Sequence, residues 1–270
     1  MDLQLAGKRA LVTGSTSGIG VGIARALAAE GAAVVIHGRD AGRAEQVAGE
    51  LRNSGARVAI AMGDLTSDEG AAAVAAAATE ALGGIDILVN NAGGQTTSGA
   101  TGFDNKTPDD WLSTYNNNAV ASLRLIHLLS PAMKARGWGR LIQIASASGT
   151  TPSETVPHYA ASKAAIINMT ISLSRALKMT GVTANTVSPG MIATPALDGW
   201  LDGIAEEQGF GDDRQRAEAY VAENVVQQTV GRIGQPGDIG AIVAYLASPI
   251  ADFINGANFR IDGGFSPSVN

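Results

Sequence analysis

The chain has 270 residues, a net charge of −6 and 45% hydrophobic residues, and it contains no cysteine. Its length is sufficient for one large α/β domain, and the lack of cysteine excludes disulfides, thiolate catalysis and Cys-ligated metals. The three histidines have no metal-ligand spacing, so we expect no bound metal. No basic cluster indicates nucleic-acid binding, and no apolar run predicts a membrane span or a signal segment. We therefore expect a cytoplasmic protein without nucleic-acid or membrane partners.

Apolar strand-like runs alternate with helical patterns along the chain. Strands are predicted over 8–13, 33–37, 57–62, 85–90, 139–145, 182–187 and 257–261. Helices are predicted over 18–30, 40–54, 67–82, 108–136, 158–180, 212–228 and 236–247. This alternation predicts an α/β fold of one domain over 1–270, a Rossmann-like doubly wound parallel sheet of about seven strands with helices on both faces. Ligands of such sheets bind beyond the carboxyl ends of the strands, so we expect the functional site there.

A glycine-rich turn follows the first predicted strand and leads into the first helix. Its sequence is Thr13-Gly14-Ser15-Thr16-Ser17-Gly18-Ile19-Gly20. Gly14 permits the turn, Gly18 lets the backbone approach a phosphate, and Gly20 allows the helix and strand to pack closely. The spacing G-x-x-x-G-x-G departs from the general dinucleotide fingerprint G-x-G-x-x-G. A strand, a glycine turn and a helix N-terminus together predict a pyrophosphate site.

Tyr159 and Lys163 lie four residues apart in one predicted helix, so their side chains share a face. An ammonium beside a phenol favours the phenolate. We therefore expect the pKa of Tyr159 to be lowered, which suits an acid/base role near neutral pH. Ser146, thirteen residues before Tyr159, is expected to hydrogen-bond the oxygen that gains charge when a carbonyl accepts hydride.

Together these motifs resemble the short-chain dehydrogenase/reductase family over nearly the whole chain. The resemblance also includes, in the family's order, Asp64-Leu65, Asn90-Asn91-Ala92-Gly93, Asn118, Pro189-Gly190 with Thr194, and Asp262-Gly263-Gly264. It implies an NAD(P)H-dependent enzyme that transfers hydride between a nicotinamide and a small ketone, aldehyde or secondary alcohol.

The resemblance implies a role for each catalytic position. Tyr159 would be the acid/base, and Lys163 would lower its pKa and hold the nicotinamide ribose. Ser146 would orient and polarise the substrate carbonyl, and Asn118 would support a water-mediated proton relay to Lys163. The two residues before Asn118 are also asparagines, so a register shift of one or two residues remains open.

The same resemblance implies the cofactor contacts. Residues 91–93 would line the adenosine ribose, 64–65 the adenine, and 189–194 the nicotinamide. The expected set is Gly14, Ser15, Thr16, Ser17, Gly18, Ile19, Gly20, Arg39, Asp64, Leu65, Asn91, Ala92, Gly93, Tyr159, Lys163, Pro189, Gly190, Ile192 and Thr194.

The residues after the second predicted strand bear on the choice of nicotinamide cofactor. An NAD site needs a carboxylate there for the ribose 2′-OH, whereas a 2′-phosphate needs a cation. Gly38 occupies the acidic position, and Arg39 follows it with a planar guanidinium that suits phosphate. Arg43 adds charge nearby, while Asp40 and a serine at position 17, where many NADP-preferring relatives have a basic residue, argue against a phosphate. We expect NADP(H), with NAD(H) as the alternative.

Three segments are expected to frame the substrate: 94–106, 147–158 and 192–228. The third is expected to be a helical lid that closes over bound cofactor and excludes water. The first holds a polar cluster made of Gln95, Thr96, Thr97 and Ser98.

Several side chains of the second and third segments have two interpretations. Glu154 and His158 lie near Tyr159, and we interpret His158 as a helix-start residue rather than a substrate contact. The lid contains Trp200, Phe210 and Tyr220, which either line an apolar pocket or pack the lid helices.

Reduction of a 3-oxoacyl thioester on an acyl carrier protein is the alternative activity. Residues 198–223 hold eight acidic residues against two arginines, and acyl carrier proteins are generally acidic too. Like-charged surfaces disfavour docking, so we favour a freely diffusing ketone, aldehyde or alcohol. A more distant alternative is a non-catalytic nicotinamide-binding sensor or scaffold, which would predict a broken Ser-Tyr-Lys set.

The long helices that carry Asn118 and Tyr159 contain alanine-rich, apolar stretches. In this family such helices pack against a neighbouring subunit, which implies a homotetramer or homodimer. The alternative is that they cover only their own sheet.

Overall fold

The computed structural model describes residues 1–95 and 101–267, which contain one seven-stranded sheet. The strands are β1 Arg9–Val12, β2 Ala33–Gly38, β3 Val58–Met62, β4 Ile87–Asn90, β5 Gly139–Ile144, β6 Val182–Pro189 and β7 Asn258–Ile261. Their order is β3-β2-β1-β4-β5-β6-β7, and every neighbouring pair is parallel. Each strand lies within two residues of its predicted bounds, so the predicted Rossmann-like sheet is confirmed.

The helices alternate with the strands and cover both faces of the sheet. They are α1 Gly18–Ala29, α2 Ala41–Asn53, α3 Asp68–Leu82, α4 Pro108–Tyr115, α5 Ala121–Ala135, α6 Pro157–Ala176, α7 Asp198–Glu207, α8 Arg214–Tyr220 and α9 Pro236–Ala247.

Two of the helix predictions need correction. The segment predicted as one helix over 108–136 is interrupted at Asn116–Val120 by a π turn, in which one extra residue widens the helix. The segment 192–228 contains two helices, α7 and α8, and only a helix over 212–228 was predicted. A second π turn, Val221–Val225, ends α8. Helix α7 has no side-chain cap at Leu197, so the usual start signal is missing from its sequence.

Two apolar clusters hold the layers together, one on each face of the sheet. On one face Ile23 lies on α1, which packs against β1 and β2, and Val243 lies on α9, which packs against β5 and β6; both side chains are fully buried. On the other face Val74 lies on α3, which packs against β2 and β3, and Leu125 lies on α5, which packs against β4 and β5. Burying one such side chain contributes roughly 1.5–3 kcal/mol. Parallel strands that are buried on both faces read as continuous apolar runs, which is why the sequence locates them well.

The first turn of α1 has an open N-terminus at the carboxyl edge of the sheet. Its N-cap Ser17 makes no side-chain capping bond within the described residues, so the first backbone N–H groups of α1 are available to a ligand. By contrast, α2 is capped by Asp40, which accepts from the backbone N–H of Arg43 at 3.0 Å. At this edge the N-terminus of α1 is therefore open to an anionic ligand, whereas the N-terminus of α2 is already capped by a carboxylate.

No helix among the described residues is long and apolar enough to cross a membrane. In the same part of the chain, no group of three or more His, Asp or Glu side chains is placed to hold a metal ion.

Candidate active site

A cleft of about 980 Å³ lies at the carboxyl edge of the sheet. It runs from the ends of β2 and β3, across the glycine turn, to α6 and the start of the 192–228 segment. The lining residues are 14, 16–20, 37–40, 43, 63–65, 91–95, 117, 144–145, 159, 163 and 194–196. Most of the predicted site residues therefore meet in one cleft, although they come from distant parts of the sequence.

The glycine turn has the backbone geometry that its sequence predicts. Gly14 and Gly18 have φ angles of +62° and +53°, in the left-handed region that favours glycine. A Cβ on Gly20 would collide with the carbonyl of Gly14. Ser15, by contrast, does not line the cleft. It is fully buried, and its Oγ donates to the Val12 carbonyl at 2.7 Å.

Asn91 braces the turn from the neighbouring strand end. Its Nδ2 donates to the carbonyls of Thr13 at 2.9 Å and Gly14 at 3.1 Å, and its backbone N–H donates to Thr13 Oγ1 at 2.9 Å. The Asn91 amide group is thus used to shape the glycine turn, while Ala92 and Gly93 line the cleft beside it.

His37 was not predicted as a site residue, yet it supports the same turn. Its Nδ1 accepts from the backbone N–H of Gly14 at 3.1 Å, and its Nε2 lies 3.2 Å from the carbonyl of Gly63. Burial lowers the pKa of His37 to about 4. The sequence signal that was available is its position at the end of a buried strand, directly before Gly38 and Arg39.

The end of the cleft beyond β2 carries a free cation and an engaged carboxylate. Arg39 forms no hydrogen bond or salt bridge with another described residue, and its side chain is exposed at the cleft. Asp40 accepts from Arg43 Nε at 2.8 Å as well as from its backbone N–H, and these bonds hold the pKa of Asp40 below its usual range. A Cβ on Gly38 would lie 2.5 Å from Thr16 Cγ2, so Thr16 fills the space that a side chain at position 38 would need.

The predicted adenine-side residues Asp64 and Leu65 follow β3 and line the same end of the cleft. The Asp64 carboxylate accepts from the backbone N–H of Thr66 at 3.0 Å and from its hydroxyl at 2.9 Å, and these bonds lower the pKa of Asp64.

Tyr159 and Lys163 line the opposite end of the cleft, and Ser146, which is not among the lining residues, contacts Tyr159 there. The Tyr159 hydroxyl is hydrogen-bonded to Ser146, and Lys163 Nζ lies 5.6 Å from the centroid of the Tyr159 ring. Lys163 is 4% exposed, and its Nζ donates to the carbonyl of Ile144 at 2.9 Å. The three side chains come from the end of β5 and the first two turns of α6, as the spacing predicts.

The expected lowering of the Tyr159 pKa is not found. Burial raises the pKa of Tyr159, and the hydrogen bond with Ser146 only partly opposes this effect. Burial also lowers the pKa of Lys163 to about 8, because a low-dielectric site disfavours the charged form of either group. The i,i+4 spacing reveals that the two groups are neighbours, but the burial that dominates their titration depends on the whole fold.

Asn118 lies in the π turn and connects three segments. Its Nδ2 donates to Ser162 Oγ at 2.8 Å and to the Gly94 carbonyl at 3.1 Å, and its Oδ1 accepts from the Gly94 N–H at 2.7 Å. The side chain is 1% exposed and does not line the cleft.

The neighbouring asparagines have different surroundings. Asn116 donates to the Thr66 carbonyl at 3.0 Å and accepts from Arg124 at 2.9 Å, whereas Asn117 lines the cleft. Of the three, only Asn118 contacts α6, the helix that carries Tyr159, through a side-chain hydrogen bond.

Three of the expected nicotinamide-side residues lie behind the cleft wall. Pro189 ends β6, Gly190 donates its N–H to the Ile261 carbonyl at 2.9 Å, and the Ile192 side chain belongs to the apolar core. Thr194 is the member of this group that lines the cleft, together with Pro195.

The substrate-framing segments are partly described. Thr96, Thr97 and Ser98 lie outside the described residues, whereas Gln95 lines the cleft. His158 is 2% exposed and packs edge-on against Trp111, with 6.3 Å between ring centroids, so it faces away from the cleft. Glu154 is exposed.

The lid aromatics pack mainly against their own segment. The rings of Phe210 and Tyr220 meet edge-to-face at 5.7 Å, and the Arg216 guanidinium lies 4.4 Å from the Phe210 centroid. Trp200 is 39% exposed and does not line the cleft. For Phe210 and Tyr220 the geometry therefore supports the interpretation that they pack the lid.

Comparison with known proteins identifies the family of this chain. Residues 8–203 match the family model described as short chain dehydrogenase. The chain belongs to the short-chain dehydrogenase family. The resemblance inferred from its motifs is thereby confirmed.

Individual relatives match over nearly their full length. The chain is 35% identical over 265 residues to the D-beta-hydroxybutyrate dehydrogenase of Cupriavidus necator, covering 97% of this chain and 99% of the relative. It is 33% identical to a 3-oxoacyl-[acyl-carrier-protein] reductase of Vibrio cholerae, covering 97% and 98%. The crystal structure of L-sorbose reductase from Gluconobacter frateurii, complexed with NADPH and L-sorbose, matches with a TM-score of 0.91 at 30% identity and complete coverage of both chains.

Proposed function

We propose that this chain is an NADP(H)-dependent oxidoreductase that transfers hydride between the nicotinamide and a small ketone or aldehyde, or the corresponding alcohol. The observation that carries the proposal is the joint placement of Tyr159, Lys163 and the glycine turn along one 980 Å³ cleft. A cleft with a phosphate-binding end and a proton-donating end suits a nicotinamide dinucleotide and a carbonyl compound.

The residues present fit such a dinucleotide. The open N-terminus of α1 and the positive φ angles of Gly14 and Gly18 provide backbone N–H groups and close approach for a pyrophosphate. A side chain at Gly20 would distort this cradle. When bound, the nicotinamide would supply or accept the hydride, and the chain's own residues would handle the proton.

Tyr159 is proposed as the proton donor in the direction of reduction. Its raised pKa keeps the hydroxyl protonated near neutral pH, so that it can donate to the carbonyl oxygen as negative charge develops there. Ser146, hydrogen-bonded to Tyr159, would hold the same oxygen, and the Lys163 ammonium would stabilise the resulting tyrosinate. Lys163 would also hold the hydroxyls of the nicotinamide ribose.

Asn118 is proposed to keep the proton path to Lys163 in place. Its three hydrogen bonds connect it to Gly94, in the loop after β4, and to Ser162 of α6. The π turn therefore has a fixed position beside α6, the helix that carries Tyr159. From this position Asn118 would support the water-mediated proton relay that the family resemblance implies.

The preference for NADP(H) is supported by the charges beyond β2. Arg39 has a free guanidinium at the cleft, while the charge of Asp40 is already paired with Arg43, which makes it a weaker partner for the ribose hydroxyls of an NAD site. Thr16 leaves no room for an acidic side chain at Gly38. The NADPH complex of the L-sorbose reductase relative is consistent with this choice.

A freely diffusing substrate is favoured over an acyl carrier protein. Arg214 contacts Asp198 at 2.8 Å and Glu218 at 3.1 Å, yet the lid keeps a strong excess of carboxylates. An acidic entrance opposes an acidic carrier. Because one relative is a 3-oxoacyl-[acyl-carrier-protein] reductase, reduction of a carrier-bound 3-oxoacyl thioester is the second candidate function. A 3-oxoacyl thioester is therefore included in the assay as its probe.

The 192–228 segment is proposed as the lid. Two backbone hydrogen bonds fix the start of this segment to Gly234. The Ala193 N–H donates to the Gly234 carbonyl at 2.8 Å, and the Gly234 N–H donates to the Met191 carbonyl at 2.9 Å. Leu201 and Val221 belong to one small apolar cluster together with Ile233, which joins α7 to the end of α8, so these two helices would move together above the cleft.

We also propose that residues 1–270 act as one domain and assemble as a homotetramer or homodimer in the cytoplasm. Support for assembly comes from exposed apolar side chains on the helices that carry the site, namely Leu112, Tyr115, Leu128 and Ile171. The absence of cysteine is compatible with a reducing compartment.

The experiment that tests the proposal is a nicotinamide oxidation assay with a carbonyl panel. Purified protein is mixed with NADPH and, in turn, with aliphatic ketones, aldehydes, ketoses and acetoacetyl-CoA, and the loss of reduced nicotinamide is recorded. We expect turnover with a free carbonyl compound. Turnover of the thioester alone would favour the carrier-protein activity, and no turnover together with tight NADPH binding would favour the sensor hypothesis.

A further inference from the structure

His37 is a buried imidazole that joins three parts of the cofactor cleft. It lies near the end of β2 and is 3% exposed. Its backbone N–H donates to Ser15 Oγ at 3.0 Å, and its backbone carbonyl accepts from the Ser15 N–H at 2.9 Å. The ring then contacts the Gly14 N–H and the Gly63 carbonyl on opposite sides. The imidazole therefore spans the distance between the glycine turn and the end of β3.

These contacts specify one tautomer of the ring. The Gly14 N–H can only donate, so Nδ1 must present a lone pair to it. The Gly63 carbonyl can only accept, so Nε2 must carry the proton. Only the neutral Nε2–H form satisfies both partners, and burial favours the same neutral form.

We propose that His37 is a positioning residue for cofactor binding, which acts as a neutral Nε2–H bridge that fixes the glycine turn against the adenine side of the cleft. The inference rests on the proposed function, because it concerns the affinity of the same cleft for a dinucleotide. Without the bridge, the Gly14 N–H would lose its partner, and the turn would have to be ordered when the ligand binds.

The bridge also makes the turn sensitive to acid. A protonated ring would place an N–H at Nδ1 against the N–H of Gly14, and these two donors cannot pair. Two charged groups act on the ring: Arg39, which opposes its protonation, and Asp64, which favours it. Both belong to the same end of the cleft, so a bound 2′-phosphate near Arg39 would alter this balance.

Two variants separate positioning from simple support of the fold. His37→Leu removes both ring contacts but retains an apolar side chain, whereas His37→Asn keeps an acceptor near the position of Nδ1. His127→Leu, at an exposed position of α5, is the matched control. NADP⁺ affinity is measured by calorimetry at pH 7, and folding is checked by circular dichroism.

We expect His37→Leu to bind NADP⁺ at least about tenfold more weakly, as an unpaired buried donor implies. His37→Asn should recover most of this loss, and the control should match the wild type. A folded His37→Leu variant with wild-type affinity overturns the inference while the proposed function stands. A wild type that binds neither NADP⁺ nor NAD⁺ refutes the proposed function, and the inference with it.

A second readout does not need His37→Leu, in case that variant does not fold. Long-range proton–nitrogen NMR on histidine-labelled protein reports the tautomer of each ring, and His37→Asn assigns the signal. We expect one imidazole to remain in the Nε2–H form down to about pH 5, with its nitrogen shifts changing when NADP⁺ is added. An Nδ1–H tautomer, or a ring that is charged at pH 6, contradicts the proposal.

Discussion

The carboxylate of Asp40 accepts two hydrogen bonds from Arg43, one from its backbone N–H at 3.0 Å and one from Nε at 2.8 Å. The only acidic side chain directly after β2 is thereby used to cap α2. Arg39, its neighbour, keeps a free guanidinium at the cleft. Asp40, which in the sequence argues against a 2′-phosphate, is therefore engaged elsewhere, whereas Arg39 keeps the free cation that favours one.

Replacing Arg39 with alanine should change cofactor selection. A hydrogen bond to a charged group contributes about 1.5–3 kcal/mol, so we expect Arg39→Ala to bind NADPH roughly 10–100-fold more weakly and to leave NADH affinity nearly unchanged. Fluorescence titration of both cofactors measures this. Arg57→Ala, at an exposed arginine away from the cleft, is the control, and an equal loss for NADPH and NADH would argue against a 2′-phosphate contact.

Glycine 20 should tolerate no side chain. A Cβ at Gly20 would meet the Gly14 carbonyl, whereas a Cβ at Gly49 of α2 would have no heavy atom within 4 Å. We expect Gly20→Ala to weaken NADPH binding by about tenfold or more through distortion of the turn. Gly49→Ala should leave binding intact and raise the free energy of unfolding by up to about 1 kcal/mol.

Calorimetric binding and thermal unfolding of the two glycine variants provide the comparison. If Gly20→Ala bound NADPH as tightly as Gly49→Ala, the close packing of turn and helix would not matter for the cofactor.

The rate of carbonyl reduction should fall at alkaline pH. Burial lowers the pKa of Lys163 to about 8, so the ammonium that is proposed to stabilise the tyrosinate is present below that pH and lost above it. We expect kcat/KM for reduction to be flat below about pH 8 and to fall by about tenfold per pH unit above it, since kcat/KM reports groups of the free enzyme.

Lys163→Arg provides the control, because arginine stays charged over this range. Its residual activity should lack the alkaline limb near pH 8. An unchanged limb in Lys163→Arg would assign the titration to another group.

The three successive asparagines should differ in their effect on turnover. Asn118→Ala would leave the Gly94 N–H without its acceptor and would remove the donor to Ser162 Oγ. We expect kcat to fall by about 10²-fold, with NADPH affinity little changed. Asn116→Ala should affect kcat by less than about threefold, because Asn116 contacts the Thr66 loop and Arg124 instead. Steady-state kinetics of both variants measures this, and a larger kcat loss in Asn116→Ala would contradict the register inferred here.

Much of the fold could be predicted because its determinants are local in sequence. The parallel strands are continuous apolar runs, and the turn at Gly14 requires glycine for its backbone angles. Helix α7 could not be located because it has no capping side chain, and the π turn could not be located because one extra residue does not disturb a helical pattern.

The sequence predicted which side chains lie close together better than it predicted their electrostatics. The spacing of Tyr159 and Lys163 correctly predicts that they are neighbours, but their burial, which raises one pKa and lowers the other, arises from the packing of the whole chain. The same is true of His37, whose two partners, Gly14 and Gly63, are far apart in sequence and meet only because β1, β2 and β3 are adjacent.

The most direct test of the central claim is the effect of Tyr159→Phe on kcat and on NADPH affinity, measured with the best carbonyl substrate of the panel. The proposed role predicts that kcat falls by about 10²–10⁴-fold, the usual contribution of a positioned proton donor, while the Kd for NADPH stays within about threefold of the wild type. A variant that retains near wild-type kcat would show that the proton comes from another group and would contradict the assignment of Tyr159 as the acid/base.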